Sequence, residues 1–249
     1  MTLSGTNTYL IGEPAYVIDP GPSDERHMQN VLAAGRERGG IAGIALTHRH
    51  LDHAGGASAL RDETGAPLAA SPPRQHITSF EPQADELAID VELSEGDVFG
   101  PLRVYETPGH AADHLSFLAG SVLFCGDTVL GEGSVFVPPT GGSMTAYLDS
   151  LRKLQTLTLT AICPGHGPIV WDPAGKLAEY LEHRLDRERR LVDALGRGLR
   201  STDELLGAVW DDAPTVLRPA AALTLEAHLD KLEREGRLPD KVERLSTGF

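Results

Sequence analysis

Seven histidines and aspartates lie at spacings that suit metal ligands. Four of them occur within residues 47–53, and the other three each belong to a separate short motif further along the chain. In chain order the seven are His48, His50, Asp52, His53, His110, Asp127 and His166. Imidazole and carboxylate donors without an obligatory thiolate suit zinc, and they also admit iron or manganese. The sequence therefore predicts a metal centre.

The motif at residues 47–53 can serve two neighbouring metal positions. In an extended segment residues two apart face the same way, so His48 and His50 can offer two imidazoles to one ion. Asp52 and His53 lie where the chain is predicted to turn into a helix, and they can face a second position. The helix N-terminus favours nearby negative charge and helps to keep Asp52 ionised.

The remaining three candidates follow short strand-like runs, so strands must carry them to the motif. His110 and His166 would complete the two metal positions, and the carboxylate of Asp127 can bridge both ions. A water shared by two cations loses a proton near neutral pH and becomes a hydroxide nucleophile. Asp52 would orient this nucleophile and shuttle a proton, which makes it the predicted catalytic residue as well as a ligand.

Strand-like and helical runs alternate through residues 1–172 and predict one mixed α/β domain. Residues 9–11 and 16–18 are predicted to pair as strands, and Ser23 is predicted to cap a helix that ends near Arg38. The later β-like runs favour antiparallel hairpins over a doubly wound sheet.

The composition changes after residue 172, and residues 173–249 are predicted to form a helical, highly charged module. Its three predicted helices cover residues 174–197, 202–210 and 216–235. A small hairpin is predicted over residues 238–245, and three helices with a short β wing are typical of a winged helix. Because acidic and basic residues interleave over residues 182–190, we interpret that helix face as solvated and salt-bridged.

The composition narrows the function classes. The chain has 249 residues and a formal net charge of −14, and an acidic body does not attract polyanions by its overall field. From residue 174 onward 13 basic residues face 15 acidic ones, so the module has no basic footprint for DNA. No run of 18 apolar residues and no signal-peptide pattern occur, so we expect a cytoplasmic protein without a membrane partner. Cys125 and Cys163 are expected to be buried, reduced thiols.

The motifs at residues 47–53, 107–110, 126–128 and 164–167 together resemble the metallo-β-lactamase superfamily. That resemblance implies an αββα sandwich with a dinuclear site at one edge between two sheets, holding two zinc ions per chain. It further implies two ligand sets and one bridging residue. One set is His48, His50 and His110, the other is Asp52, His53 and His166, and the bridge is Asp127.

A finer resemblance is to the lactamase-beta-2-like branch, which carries a C-terminal winged helix. It rests on residues 5–10, 17–21, 131–133 and 180–184. Some members of that branch cut single-stranded RNA, and fungal relatives act as thioesterases. The loop at residues 137–142 departs from the branch and is expected to border the substrate cleft.

These observations predict a dinuclear metal-dependent hydrolase in which a metal-bridging hydroxide attacks an ester-type bond. Two substrate classes stay open. One is single-stranded RNA, as in an endoribonuclease, and the other is a small thioester, ester or lactone. An alternative of another class is a metal-sensing protein that binds nucleic acid through the winged helix. A homodimer is also left open.

Two further histidines lie near or between the motifs. His114 follows His110 closely and could contact a substrate, but we favour a structural role, such as orienting Asp113. His76 lies in a polar loop and is expected at the surface.

Overall fold

A computed structural model describes residues 5–72, 84 and 87–245, so His76 lies outside the described residues. Within them the chain forms ten strands and seven α-helices. The strands are β1 (Tyr9–Ile11), β2 (Ala15–Ile18), β3 (Ile41–Ala45), β4 (Leu68–Ala70), β5 (Val91–Glu92), β6 (Val98–Phe99), β7 (Leu102–Glu106), β8 (Leu115–Ala119), β9 (Val122–Gly126) and β10 (Ala161–Pro164). The helices are α1 (Glu25–Glu37), α2 (Leu51–Ala54), α3 (Ala57–Thr64), α4 (Met144–Gln155), α5 (Pro173–Gly196), α6 (Thr202–Val209) and α7 (Arg218–Arg234).

The strands form two five-stranded sheets. The first has the order β1-β2-β3-β4-β5, in which β1 is antiparallel to β2 and the other neighbours are parallel. The second has the order β10-β9-β8-β7-β6, in which β10 is parallel to β9 and the other neighbours are antiparallel. Strands β2 and β3 therefore share one direction, and β7, β9 and β10 share another.

Alternation along the strands produces three hydrophobic cores and four layers. Val17 packs in a core with residues of α1 and α3, whereas the next residue, Ile18, packs in a core shared by both sheets. In the second sheet Phe124 joins that shared core, and its neighbour Leu123 packs with residues of α4 and α5. Successive side chains point to opposite faces of a sheet, so the layers read helix, sheet, sheet, helix. The predicted αββα sandwich is confirmed. Cys125 and Cys163 are buried and free, as expected.

Helices α5, α6 and α7 enclose a separate core. Its buried members include Leu191, Leu205, Trp210 and Leu225. Helix α5 contributes to this core and also to the core between the second sheet and α4, because its first half packs through Tyr180 against the domain formed by residues 1–172, here called the body. None of the helices that the structure describes has the length and apolar composition needed to cross a bilayer.

Two local predictions were wrong. Helix α1 is capped by Asp24 and not by Ser23, because the Asp24 carboxylate accepts a hydrogen bond from the backbone N–H of His27. Within residues 238–245 the structure has no strand. Pro239 has no N–H to contribute to a ladder, and the backbone at Lys241 is left-handed with φ 62°.

The prediction of a solvated helix face over residues 182–190 was wrong for part of that face. Arg184, Arg187 and Glu188 are only 2%, 6% and 8% exposed. They lie where α5 is covered by the body on one side and by α6 and α7 on the other. Arg189 conforms to the prediction, because it is exposed and paired with carboxylates of its own helix.

Candidate metal centre

The predicted ligands all follow strands whose carboxyl ends meet at one edge of the sandwich. The motif at residues 47–53 comes after β3, and His110 comes after β7. Asp127 comes directly after β9, and His166 follows β10. Because β7, β9 and β10 run in one direction, their loops meet at the same edge, where they face the loop after β3.

The structure brings all seven predicted residues together. Their ligand atoms form three overlapping groups, and the atoms within each group lie within 4.8 Å of one another. The groups are His48, His50 and His110; His48, His53 and Asp127; and Asp52, His53 and His166. The first and third groups have the composition of the two predicted ligand sets.

Asp127 lies between the two sets. Its Oδ2 is 3.8 Å from Nε2 of His110, which belongs to one set, and 3.3 Å from Nε2 of His166, which belongs to the other. Its second oxygen, Oδ1, is 3.5 Å from Nε2 of His53. A carboxylate with this placement can offer one oxygen to each of two ions.

Four of the histidines are anchored through Nδ1, which leaves Nε2 facing the centre. His110 donates from Nδ1 to the carbonyl of Phe136 at 2.7 Å, and His166 donates to the carbonyl of Gly5 at 2.9 Å. Nδ1 of His53 lies 2.9 Å from a carboxylate oxygen of Asp19, and Nδ1 of His48 lies 3.0 Å from the hydroxyl of Thr47. Carbonyls and carboxylates only accept, and the Thr47 hydroxyl already donates to Asp19. These contacts therefore make Nδ1 the outward donor and leave Nε2 as the nitrogen that can face an ion, and histidines that bind metals are held in this way.

Buried polar atoms without hydrogen-bond partners test whether these residues fit a metal ion. Nε2 of His48, Nε2 of His53 and Oδ1 of Asp127 are buried and have no hydrogen-bond partner among the described residues. Leaving one such atom unsatisfied costs about 1–3 kcal/mol, so three in one cluster need an explanation. All three belong to the predicted ligands and are atoms of the kind that coordinate a metal cation. The donor set therefore fits a metal centre.

The electrostatics of the cluster also favour cations. Burial lowers the pKa of His48 well below 6.5 and that of His50 to about 3, so both imidazoles are neutral at pH 7. Burial opposes ionisation of Asp127, but His53 and His166 outweigh it and hold the pKa of Asp127 well below its usual range. Burial likewise lowers the pKa of His166, yet contacts with Asp127 and Asp52 raise it to about 10. The space between the two carboxylates thus favours positive charge.

Asp19 supports the centre and was missed by the sequence interpretation. Its side chain is buried and accepts three hydrogen bonds, from the backbone N–H and hydroxyl of Thr47 at 2.8 and 2.7 Å and from His53 at 2.9 Å. It thereby fixes the start of the histidine motif and the ring of His53. The signal lay in residues 19–22, where an aspartate ends a buried strand, but a Pro-Gly neighbour made it look like an ordinary turn residue.

Asp19→Asn is expected to lower metal affinity by roughly 10- to 100-fold, because outer partners of ligating histidines have effects of that size. Asparagine suits this test because the backbone at Asp19 is left-handed, with φ 51°, which asparagine tolerates. Competition titration against a chelator measures the effect, with thermal unfolding as the control for folding. Unchanged affinity would show that the Asp19 carboxylate does not hold His53 for binding.

His114 has a structural role, although Asp113 is not its partner. Its Nε2 accepts from the backbone N–H of Asp127 at 3.1 Å, and its Nδ1 lies 2.9 Å from the hydroxyl of Thr107. It therefore fixes the backbone of the central carboxylate. Asp113 instead pairs with Arg49 at 3.2 Å.

Comparison with known proteins agrees with this geometry. The family model described as the metallo-beta-lactamase superfamily matches residues 1–166, and the beta-lactamase associated winged helix domain matches residues 201–243. The beta-lactamase-like protein 2 homolog of Drosophila melanogaster is 34% identical over 96% of this chain and 85% of its own length. An atrochrysone carboxyl ACP thioesterase of Aspergillus fumigatus is 34% identical over 78% of this chain and 61% of its own length.

Two solved structures are similar as well. A metallo-beta-lactamase family protein of Thermus thermophilus has a TM-score of 0.70 and 23% identity, covering 93% of this chain and 89% of that one. A protein solved in a di-iron-bound form has a TM-score of 0.57 and 30% identity, covering 70% of this chain and 93% of that one. The first likeness concerns the fold alone, and the second joins the fold to a dinuclear metal site in that protein.

Proposed function

Since the chain belongs to the metallo-β-lactamase superfamily, whose members are mostly hydrolases, we propose that it is a dinuclear metal-dependent hydrolase of ester-type bonds. His48, His50 and His110 would hold one ion, and Asp52, His53 and His166 would hold the other, with Asp127 between them. The observation that carries the proposal is the set of histidines anchored through Nδ1. Among the atoms that they and Asp127 turn to the centre, Nε2 of His48, Nε2 of His53 and Oδ1 of Asp127 are buried without a hydrogen-bond partner among the described residues. The nitrogen and oxygen donors suit two zinc ions. Iron is the alternative metal, because a similar protein was solved in a di-iron-bound form.

The two ligand sets would hold divalent cations, and the chemistry supplied there would be activation of a water near neutral pH and polarisation of the substrate's carbonyl or phosphoryl oxygen. The chain's own contribution is to place donors and to move protons. The side chain of Asp52 is 27% exposed, more than the 12% of Asp127, so it faces the open side of the centre. The hydroxyl of Thr6 donates to its Oδ2 at 3.1 Å, and Nε2 of His166 lies 3.2 Å from the same oxygen.

Asp52 is therefore the residue we assign to proton transfer. Burial opposes its ionisation, but the contact with His166 outweighs burial and lowers the pKa of Asp52 to about 2. An ionised carboxylate at the open side can accept a proton from the attacking water and return it to the leaving group.

We favour a thioester or related small acyl ester as the substrate. A thioesterase is among the relatives at 34% identity, and a chain with a formal net charge of −14 repels a polyanion such as RNA. Cleavage of single-stranded RNA is the competing activity. The match to a winged helix domain is the observation that supports it.

One assay separates these activities. Zinc-loaded protein is offered acyl thioesters, lactones and a labelled single-stranded RNA, each with Asp52→Asn as the matched inactive variant. Turnover of thioesters that the variant lacks supports the proposal, whereas RNA cleavage that the variant lacks would assign a nuclease. Salt-dependent nucleic-acid binding by both proteins without any turnover would replace the enzyme with the metal-sensing alternative.

A further inference from the structure

We propose that Arg184, in the helix that joins the two modules, is a positioning residue for His110 and thus for one of the two metal positions. This inference rests on the proposed metal centre. It adds a residue from outside both matched family segments to the machinery of the site.

Arg184 holds the chain segment that anchors His110. Its Nη2 donates to the hydroxyl of Ser134 at 2.8 Å and to the carbonyl of Val135. The next carbonyl along the chain, that of Phe136, accepts from Nδ1 of His110 at 2.7 Å. Because the carbonyl of Val135 belongs to the rigid peptide unit that leads into Phe136, a shift of Val135 moves the anchor of His110.

Two tyrosines hold the rest of the same segment. Tyr180, one turn before Arg184 on α5, donates to the carbonyl of Gly133 at 2.8 Å and accepts from the N–H of Leu130 at 3.1 Å. Tyr147 of α4 donates to the carbonyl of Thr128 at 2.7 Å. The segment that begins at Asp127 and ends at Phe136 is therefore secured along its length by side chains of α4 and α5.

Ion pairing does not explain why Arg184 is buried. It is 2% exposed, and among the residues that the structure describes it pairs with no carboxylate. Its guanidinium lies over the ring of Tyr147 at 5.6 Å. A buried charge without a counter-ion is costly, and Arg184 is among the charges that lower the pKa of buried His228, where burial is the larger cause. The guanidinium supplies two bonds from Nη2 to residues 134 and 135, and its Nε is buried without a hydrogen-bond partner among the described residues. Holding this segment is therefore the contribution that the printed contacts assign to it.

Arg187 offers a matched control on the same helix. It is also buried, at 6% exposure, but it faces the other module, donating to the carbonyl of Val209 and to Asp212 at 2.8 Å. Arg184→Met and Arg187→Met thus remove equal charge from similarly buried places, and only the first touches the segment leading to His110.

The test is a stepwise cobalt titration of the full-length protein, followed by its d–d absorption and by competition with a chelator. We expect wild-type protein and Arg187→Met to bind two ions alike, and Arg184→Met to lose about 10- to 100-fold in affinity for one ion with a changed spectrum. Arg184→Lys, which keeps the charge and one nitrogen donor on a shorter side chain, is expected to lose less and covers the case in which Arg184→Met does not fold.

Equal affinities in wild-type protein and in the folded Arg184 variants, or an equal loss in Arg187→Met, would overturn the assignment while leaving the metal centre intact. Failure of the wild-type protein to bind cobalt would instead remove the proposed function itself, and this inference with it.

Discussion

Asp127→Asn is expected to abolish binding of at least one ion and to lower hydrolysis by about 10³-fold or more. The carboxylate lies between both ligand sets, and its Oδ1 is buried without a hydrogen-bond partner among the described residues. Asparagine keeps the shape of the side chain but removes its negative charge. It also replaces one carboxylate oxygen with an amide NH2 group, whose nitrogen does not coordinate a metal ion. Metal content by mass spectrometry and turnover of the preferred ester measure the two effects.

Asp113→Asn is the matched control, because Asp113 and Asp127 are equally buried, at 8% exposure each. It breaks the pair with Arg49, so it is expected to lower thermal stability while the protein keeps both metals. Retention of two ions by Asp127→Asn, with normal turnover, would remove Asp127 from the centre.

His48→Ala is expected to empty the position shared with His50 and His110 and to lower turnover by a comparable factor of about 10³. The fold should survive, since Nε2 of His48 makes no hydrogen bond among the described residues and the ring lies between other imidazoles. His27→Ala, which removes a partly buried histidine bonded to Thr8 at 2.9 Å, serves as the control. Normal metal content in His48→Ala would contradict the ligand assignment.

The sequence was informative where chemistry and periodicity coincide. The ligand motifs sit at strand ends, and the strands themselves alternate between two cores, as Val17 and Ile18 do. Such patterns are local, so a mixed α/β domain and two neighbouring metal positions could be predicted from them. The αββα sandwich and the placement of the site at one edge were expected only from the resemblance to the metallo-β-lactamase superfamily.

Features that depend on contacts between distant segments could not be predicted. Asp19 meets Thr47 and His53 only after β2 and β3 have paired. Arg184 has the spacing of a surface residue, and its burial follows from α5 packing against two modules at once. The hairpin predicted over residues 238–245 was wrong for a related reason. Arg244 is drawn onto α7 by ion pairs with Glu226, Asp230 and Glu233, contacts that no strand pattern reveals.

The most direct test of the central claim is the metal stoichiometry of the full-length protein, measured by mass spectrometry after reconstitution with zinc and removal of loosely bound ions. The geometry of the two ligand sets predicts two ions per chain, and a marked rise in thermal stability because binding favours the folded state. Protein that stays free of metal after reconstitution, with unchanged thermal stability, would contradict the account.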